Sequence, residues 1–581
     1  MVHVPYYVRA LVRSNEIWLT VLSSCVGVLA GLSVWIMTRA TLMAHRVLYN
    51  LHNDGRLSGL ATLDPWRCVL VPCLGGLVLG GFGLLVARRF RHRPVDPIEA
   101  NALHGGRMSV RDSAIVAFQT FLSNGSGASL GLEAGFSQIA AALGSRCGAI
   151  FRVRRADMRI LVGCGAGGAI GAAFNAPIAG AFYAFELVIG TYSLVNLAPV
   201  AVASISAVGI VRLLGGVTAT VTLLPHESLG MRDSLPVMGL GILCGLVGIG
   251  VMRGVTIAEL VFRKSNLPVW FRPCLGGLCV GCLALYSPSI LSAGHAAVRK
   301  VLDGGLPLTT LLLLLFLKAV ASAISIGSGF RGGLFFASLF LGVLSGSLFG
   351  HGLEALVATG LSVTTCAILG MSATAVAIIG VPMTMTCLIL EMTADITLAS
   401  AVLLSSVLSL LTVRRLFGYS FATWRFHQRG ESIRSAVDIG WLRALTVGRM
   451  MRRDMTVFSP DTTVGEARLC CPLGAMPQVV VADAEGAYRG IVLVSDIYGP
   501  DHPPGRTLAD LVQHEQIMLL PDMTCRDAAR RFEEAEADAL VVIADMASRR
   551  VIGLLSEKYV LRRYAEALDR TRRELAGETR A

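Results

Sequence analysis

The feature that most constrains this chain is a set of long apolar runs with few or no charges. Windows 17–39, 65–87, 192–215, 235–252, 308–326 and 398–413 are of this kind. A run of roughly 18 or more apolar residues is long enough to cross a bilayer as a helix, which satisfies its own backbone polar groups. Charged residues are 15 % of the chain, against about a quarter in a soluble protein. Many of the 63 glycines lie inside the apolar runs. There they let helices approach closely and let helices break within the membrane. A soluble globular protein is excluded for most of the length.

Near residue 423 the pattern changes: apolar runs shorten and charges become dense, as in Arg526, Arg530, Arg531, Glu533 and Glu534. The expected organisation is a membrane body over 1–425 and a soluble tail of roughly 150 residues, an ordinary domain size. The net charge of +12 reads as juxtamembrane positive charge that sets orientation, not as a nucleic-acid footprint. Arg9 and Arg13 precede the first run, and Arg414, Arg415, Arg425 and Arg429 follow the last. Both ends are therefore expected in the cytoplasm, with an even number of full crossings and no nucleic-acid partner. The first run is too long for a signal-peptide core and is expected to stay in the protein. Of the 14 cysteines, 11 fall in the body. They read as small apolar packing residues, Cys279 and Cys282 included. Neither a metal centre nor a disulfide framework is expected.

The body contains an internal repeat. Residues 175–188 read NAPIAGAFYAFELV and residues 380–393 read GVPMTMTCLILEMT, with Pro177 nine before Glu186 and Pro382 nine before Glu391. Upstream of each lies a glycine-opened segment, GLEAGFSQIAAALG from Gly131 and GLFFASLFLGVLSG from Gly333. Transporters are often built from such repeats, whose broken helices meet near the bilayer midplane. A helix that starts inside the membrane aims its N–H groups and positive dipole end at one spot, which attracts an anion without a buried lysine or arginine.

Glu133 sits at one of these starts. An ionisable group among apolar neighbours at membrane depth is costly and by default functional, yet a carboxylate is favoured at a helix N-terminus. It would compete with a permeant anion for the same N–H groups, and a proton would release it. Glu133 is thus a candidate gate, proton carrier, or both; the plainer alternative is an N-terminal carboxylate at a membrane surface. Glu186 and Glu391 each follow an apolar stretch, and a structural role is expected for both.

These residues resemble a known family. The body, over roughly 15–425, resembles the CLC chloride channels and chloride/proton exchangers. GLEAG at 131–135 resembles the family's G-K/R-E-G-P motif, with Glu133 at the gating glutamate. AAFNAPIAGAFYAFE at 172–186 resembles the segment that follows. GFRGGLFFASL at 329–339 resembles the G-x-F-x-P region, and GYS at 418–420 resembles the site of the pore-lining tyrosine, here Tyr419. The resemblance implies a mostly α, polytopic, inverted-repeat body in the plasma membrane, and a homodimer with one anion pathway per subunit. It implies a central chloride held by the N–H groups of Leu334 and Phe335 and by the Tyr419 hydroxyl. Gly131, Leu132, Ala134, Gly135, Gly333 and Phe336 complete the anion-binding segments, and Glu133 fills the outer site when no anion does. Departures are present. Leu132 replaces a basic residue, Ala134–Gly135 replaces Gly-Pro, and Ala337 stands where proline is usual. The family's G-S-G-I-P motif falls at Arg93-Pro94-Val95-Asp96-Pro97, so Pro94 replaces the anion-binding serine. Plant nitrate/proton exchangers of the family share that proline, which adds nitrate to chloride as a candidate ion. Exchangers usually carry a second glutamate at the place of Leu187, which cannot accept a proton. The expectation is passive chloride conduction gated by Glu133, with chloride (or nitrate)/proton exchange as the alternative.

The tail reads as two similar units. The first has an extended stretch at Thr456–Phe458, a helix near Thr463–Cys470 and a hairpin joining Gln478–Asp483 to Tyr488–Val494. The second has Met518–Leu520, a helix at Thr524–Ala535, Ala539–Asp545 and Val551–Ser556. This resembles a small α/β pair of CBS motifs, with a linker and first unit over 426–505, a second unit over 506–565 and a charged tail over 566–581. CBS pairs often bind adenine nucleotides, and no other cofactor is expected. Each signature is half matched: GIVLVSD keeps Asp496 and GLLSEKY keeps Ser556, but Leu493 and Tyr559 replace the other partners. Dimerisation is the plainer role.

Two other classes compete. An intramembrane protease would use Asn124-Gly125-Ser126-Gly127, which lacks the preceding glycine and a well-placed histidine. A divalent-cation transporter would want carboxylate clusters along its path, where this body has scattered single acids.

Overall fold

The computed structural model describes residues 16–51, 56–60, 62–89, 94–216, 230–304, 306–356, 361–421, 423–424, 445–474 and 476–575. Arg9, Arg13, Arg93, Arg425, Arg429, the 425/426 boundary and residues 576–581 of the charged tail lie outside them. The chain divides into two compact units, Met1–Asp438 and Ile439–Ala581.

The first eight helices of the body are α1 (Glu16–Tyr49), α2 (Pro65–Arg89), α3 (Pro97–Leu103), α4 (Val110–Gly125), α5 (Glu133–Phe151), α6 (Arg155–Phe174), α7 (Pro177–Tyr183) and α8 (Leu194–Leu213). The next eight are α9 (Ser234–Lys264), α10 (Arg272–Ala284), α11 (His295–Leu302), α12 (Leu308–Ser328), α13 (Phe335–Leu356), α14 (Val363–Ile379), α15 (Pro382–Thr393) and α16 (Ile396–Leu416). Each helix of the second set corresponds to the one eight before it, and the packing repeats. α1 lies against α6 and α8 as α9 lies against α14 and α16, and α5 pairs with α6 as α13 pairs with α14. The repeat read from two short segments therefore extends over the whole body.

The local signals repeat too. α6 ends at Asn175 and α14 at Gly380, both in the left-handed conformation that stops a helix. Pro177 and Pro382 then open α7 and α15, where a fixed φ suits the first helical turn and the missing N–H costs nothing. α7 continues as a π-helical turn over Ala184–Ile189, a geometry frequent at functional sites.

Seven helices among the described residues are long and apolar enough to cross a membrane: α1, α2, α8, α9, α12, α13 and α16. Six coincide with the apolar runs. α13, the seventh, is the most enclosed of the set; it faces protein rather than lipid, so its sequence mixes serine and glycine with the apolar residues.

In the tail, α17 (Val447–Met450) precedes β1 (Val457–Phe458), α18 (Val464–Cys470), β2 (Gln478–Ala482), β3 (Tyr488–Leu493) and α19 (Val494–Ile497). The second unit has α20 (Cys525–Ala535), β4 (Ala539–Ile543), β5 (Val551–Ser556) and α21 (Glu557–Leu575). β1 joins β2 in parallel and β2 joins β3 antiparallel. β4 and β5 repeat the hairpin, and a single parallel bridge from Leu519 to Val542 takes the place of β1. Both hairpins shift register at the same point, at Val481/Ala482 and at Val542/Ile543. Both helices open with a capping box, Thr463 with Glu466 and Thr524 with Asp527, which satisfies orphan N–H groups reciprocally. The expected charged tail from 566 continues as helix to Leu575. Glu566 accepts from Arg562 and Arg563 at 2.9 and 3.2 Å, pairs one turn apart that support an exposed helix.

Candidate functional site

The two glycine-opened starts meet. Gly131 N–H donates to Gly333 O at 2.9 Å and Gly333 N–H donates to Gly131 O at 3.1 Å. The bridge is antiparallel, as an inverted relation between halves requires. It brings the N-termini of α5 and α13 to one place, where the first-turn N–H groups have no partner inside their own helices.

The preceding loop is anchored by small polar groups. Ser129 N–H donates to the Ser325 hydroxyl and Ser322 donates to Ser129 O, both from α12. Asn124 Nδ2 donates to Leu130 O, and the Ser292 hydroxyl donates to Asn124 Oδ1. The Ser126 hydroxyl donates to Ser123 O at 3.0 Å. Ser126 therefore tethers a turn, and among the described residues no histidine is bonded to its hydroxyl.

Glu133 occupies the meeting point. It is 5 % exposed. Its carboxylate lies beside the N–H of Phe336 near the start of α13 and its own N–H at the start of α5. Among the described residues Oε2 has no hydrogen-bond partner, and it lies over Gly131 and Gly333. A methyl group at Gly131 would collide with it, and one at Gly333 would stand 3.3 Å away.

Two cavities flank this carboxylate, and Glu133 lines both. The first, here called outer, is lined by Arg39, Arg56, His45, His295, Leu132 and Phe336, among others. The second, called inner, has a volume of about 210 Å³ and is lined by Pro94, Ala134, Gly333, Leu334, Phe335 and Leu187, among others. Most expected anion-binding residues therefore line one cavity or the other. Gly131, Gly135 and Tyr419 line neither. Gly135 is pressed against Met37 and Thr120. Tyr419 is half-buried with its ring 5.8 Å from that of Trp424, and Phe421, two residues on, lines the inner cavity.

Sequence reasoning passed over several residues. Asp96, Ser137, Tyr183 and Arg331 line the inner cavity. Lys318 of α12 is fully buried, donates to Ile290 O and Ser292 O at 3.1 and 2.8 Å, and is within electrostatic reach of Glu133. Its signal was available: one lysine stands alone in the apolar run LLLLLFLKAVASAI, and a lone charge at that depth marks function.

Glu186 and Glu391 act differently. Glu186 accepts from the N–H groups of Met383 and Thr384 at 2.9 Å and from the Thr384 hydroxyl. Glu391 accepts from Ile178 and Ala179 N–H at 2.8 and 2.9 Å. Each carboxylate thus caps the proline-opened helix of the opposite half, the structural role expected for both.

The family model described as "Voltage gated chloride channel" matches residues 75–414. The chain belongs to the CLC family. A ClcB-like chloride channel protein of Ralstonia nicotianae is 33 % identical over 367 residues, covering 62 % of this chain and 85 % of that one. The voltage-gated ClC-type chloride channel ClcB of Escherichia coli is 29 % identical over 402 residues, covering 68 % and 95 %. The fold matches that of a slow cyanobacterial Cl⁻/H⁺ antiporter with a TM-score of 0.63 at 22 % identity, over 71 % of this chain and 97 % of that one. The CBS domain model matches residues 508–566, the second of the two tail units, and the first unit repeats its topology. Family membership makes the body that of an anion transporter with many membrane-crossing helices, and the tail a CBS pair.

In the tail, Asp496 lies in α19 and Ser556 ends β5. The Asp496 carboxylate accepts from Gln513 Nε2 at 2.8 Å and from the Ser495 hydroxyl at 3.3 Å, so each of its oxygens has a partner within the protein.

Proposed function

We propose that the protein conducts chloride passively across a membrane, and that the Glu133 carboxylate is the gate between the two cavities. One observation carries the reading: a buried carboxylate lies on the N–H groups of two converging helix starts, with open space on either side of it. A chloride ion seeks the same N–H groups, since helix N-termini favour any anion. Protonation removes the negative charge that keeps Glu133 there, and chloride can then pass. Leu334 and Phe335 N–H would hold the ion in the inner cavity. Nitrate and fluoride are the next candidates.

Leu187 supports the passive reading, because its apolar side chain cannot carry a proton. Chloride/proton exchange is the second reading. A different carboxylate, Asp96, lines the same cavity as Leu187, and the solved relative above is an antiporter. Purified protein in liposomes separates the two when chloride efflux and proton movement are recorded together. The passive reading expects efflux without uphill proton movement. Protons driven uphill by a chloride gradient would overturn it in favour of exchange, and an absence of any anion flux would defeat both.

The protein would work as a homodimer in the plasma membrane, with both ends in the cytoplasm and one pathway in each subunit. The tail would serve dimerisation, with an adenine nucleotide near Asp496 and Ser556 as the alternative, and equilibrium binding of ATP to the full chain distinguishes them.

A further inference from the structure

Residues 72–77 and 273–278 are identical, both reading PCLGGL. The first copy lies on α2 and the second on α10, its counterpart in the other half. The two helices pack against each other, and the two copies meet at the crossing. A methyl group at Gly76 would collide with the backbone of Pro273 and Cys274, and one at Gly277 with that of Pro72 and Cys73. These glycines let the two backbones approach closely. Where an inverted repeat crosses itself, a residue meets its own equivalent. Cys73 does so: its sulfur lies 3.6 Å from that of Cys274, 201 residues away. Both thiols are free, and among the described residues no other two cysteines are hydrogen-bonded to each other.

We propose that Cys73 and Cys274 are an oxidation site, where hydrogen peroxide joins the two thiols into a disulfide that ties the halves of the body together and slows ion passage. Cys73 is half-buried and Cys274 is buried, so the Cys73 sulfur reacts first. It attacks one peroxide oxygen, the O–O bond breaks, and the leaving oxygen takes the thiol proton and departs as water. The Cys274 sulfur then displaces the hydroxyl left on Cys73. An S–S bond forms, and that hydroxyl takes the Cys274 proton and leaves as a second water. Each sulfur gives up one electron, and the peroxide accepts both. Leu70, Leu74 and Leu77 of α2 are exposed, so the crossing borders the bilayer, where a small uncharged oxidant can reach it.

The crossing touches the segments that lead to both helix starts, at equivalent points. A methyl group at Gly75 would collide with the Ser126 side chain, and one at Gly276 with that of Ser328. Each serine tethers its own turn, the first by donating to Ser123 O and the second to Ser325 O. The Ser123 and Ser325 hydroxyls in turn accept N–H groups of the opposite half, from Arg331 and Ser129 at 3.0 and 3.1 Å. Arg331 leads into Gly333 and Ser129 into Gly131. A disulfide bond is about 2.05 Å long, so the sulfurs must close by about 1.5 Å. A close-packed interior passes such a shift to its neighbours, here to both glycine-opened starts.

Formation of the bond is independent of the gate, and only the slowing rests on the proposed chloride conduction. The test treats the full chain in liposomes with hydrogen peroxide. The bond is read by alkylating the denatured protein and finding the peptides by mass spectrometry, with chloride efflux measured in parallel. The peptides carrying Cys73 and Cys274 are expected to be joined, with efflux at least threefold slower and restored by dithiothreitol. Cys73→Ala and Cys274→Ala should keep the efflux of untreated wild type and lose the response to peroxide. If both thiols are still alkylated after treatment, the bond is refuted. A bond with unchanged efflux would overturn the slowing. A reversible peroxide response in either variant would overturn the assignment to this pair. Protein that passes no anion before treatment defeats the proposed function, and the mass measurement still decides the bond.

Discussion

Two pairs of repeat-related positions behave in opposite ways. Glu186 and Glu391 are equivalent in the two halves, both are carboxylates, and each caps a helix of the other half. At the glycine-opened starts the equivalents are Glu133 and Phe335, and only one of them carries charge. The symmetric pair has its oxygens satisfied. The asymmetric position leaves a buried carboxylate with an unpartnered oxygen, a state that costs free energy unless something is gained elsewhere. Symmetry in this body marks architecture, and the point where symmetry breaks is where the proposed gate lies.

The largest expected effect tests the symmetric pair. Glu186→Ala and Glu391→Ala each remove charge-assisted bonds to at least two helix N–H groups, so each should cost about 3 kcal/mol of stability or more. Glu186→Ala should be the worse of the two, because its carboxylate also holds the Thr384 hydroxyl. Thermal unfolding in detergent reads this directly. Equal stability of either variant and wild type would remove the contrast on which the account rests.

The next effect tests the asymmetric pair. Gly131→Ala places a methyl group against Glu133 Oε2, whereas Gly333→Ala leaves 3.3 Å. Displacing the carboxylate from its place at the two helix starts weakens a favourable interaction with their N-termini, worth up to about 2 kcal/mol. Gly131→Ala should therefore shift the closed-to-open balance by up to about 30-fold at neutral pH, and Gly333→Ala by much less. Matched chloride efflux measurements decide it, and similar fluxes from the two would blunt the argument from asymmetry.

The smallest effect lies in the tail, where the repeat is symmetric again. Thr463→Ala and Thr524→Ala each break a capping box and should each cost about 1 kcal/mol. Urea unfolding of the full chain, followed through the tail, should show similar losses with chloride efflux unaltered.

Much of this was legible in the sequence. Apolar runs located six of the seven long apolar helices. The spacing of Pro177 to Glu186 and of Pro382 to Glu391 announced the repeat, and the glycine-opened segments announced the two helix starts. What the sequence could not give was which surfaces meet. Asp96 caps a seven-residue helix, too short to carry a periodic signal, and it reaches the cavity only through the packing of α3 on α5 and α6. Tyr183 lies in an apolar stretch and reads as core until the cavity beside it is known. Tyr419 fell in a segment that resembles the family's, yet Phe421 is the residue lining the inner cavity.

The most direct test of the central claim is the pH dependence of chloride efflux from liposomes containing wild-type protein and Glu133→Gln. A neutral glutamine imitates the protonated gate. Wild-type efflux should rise as pH falls, because protonation releases the carboxylate. Glu133→Gln should conduct at all pH values with no such rise. A Glu133→Gln protein whose efflux still rises on acidification as in wild type would contradict the account.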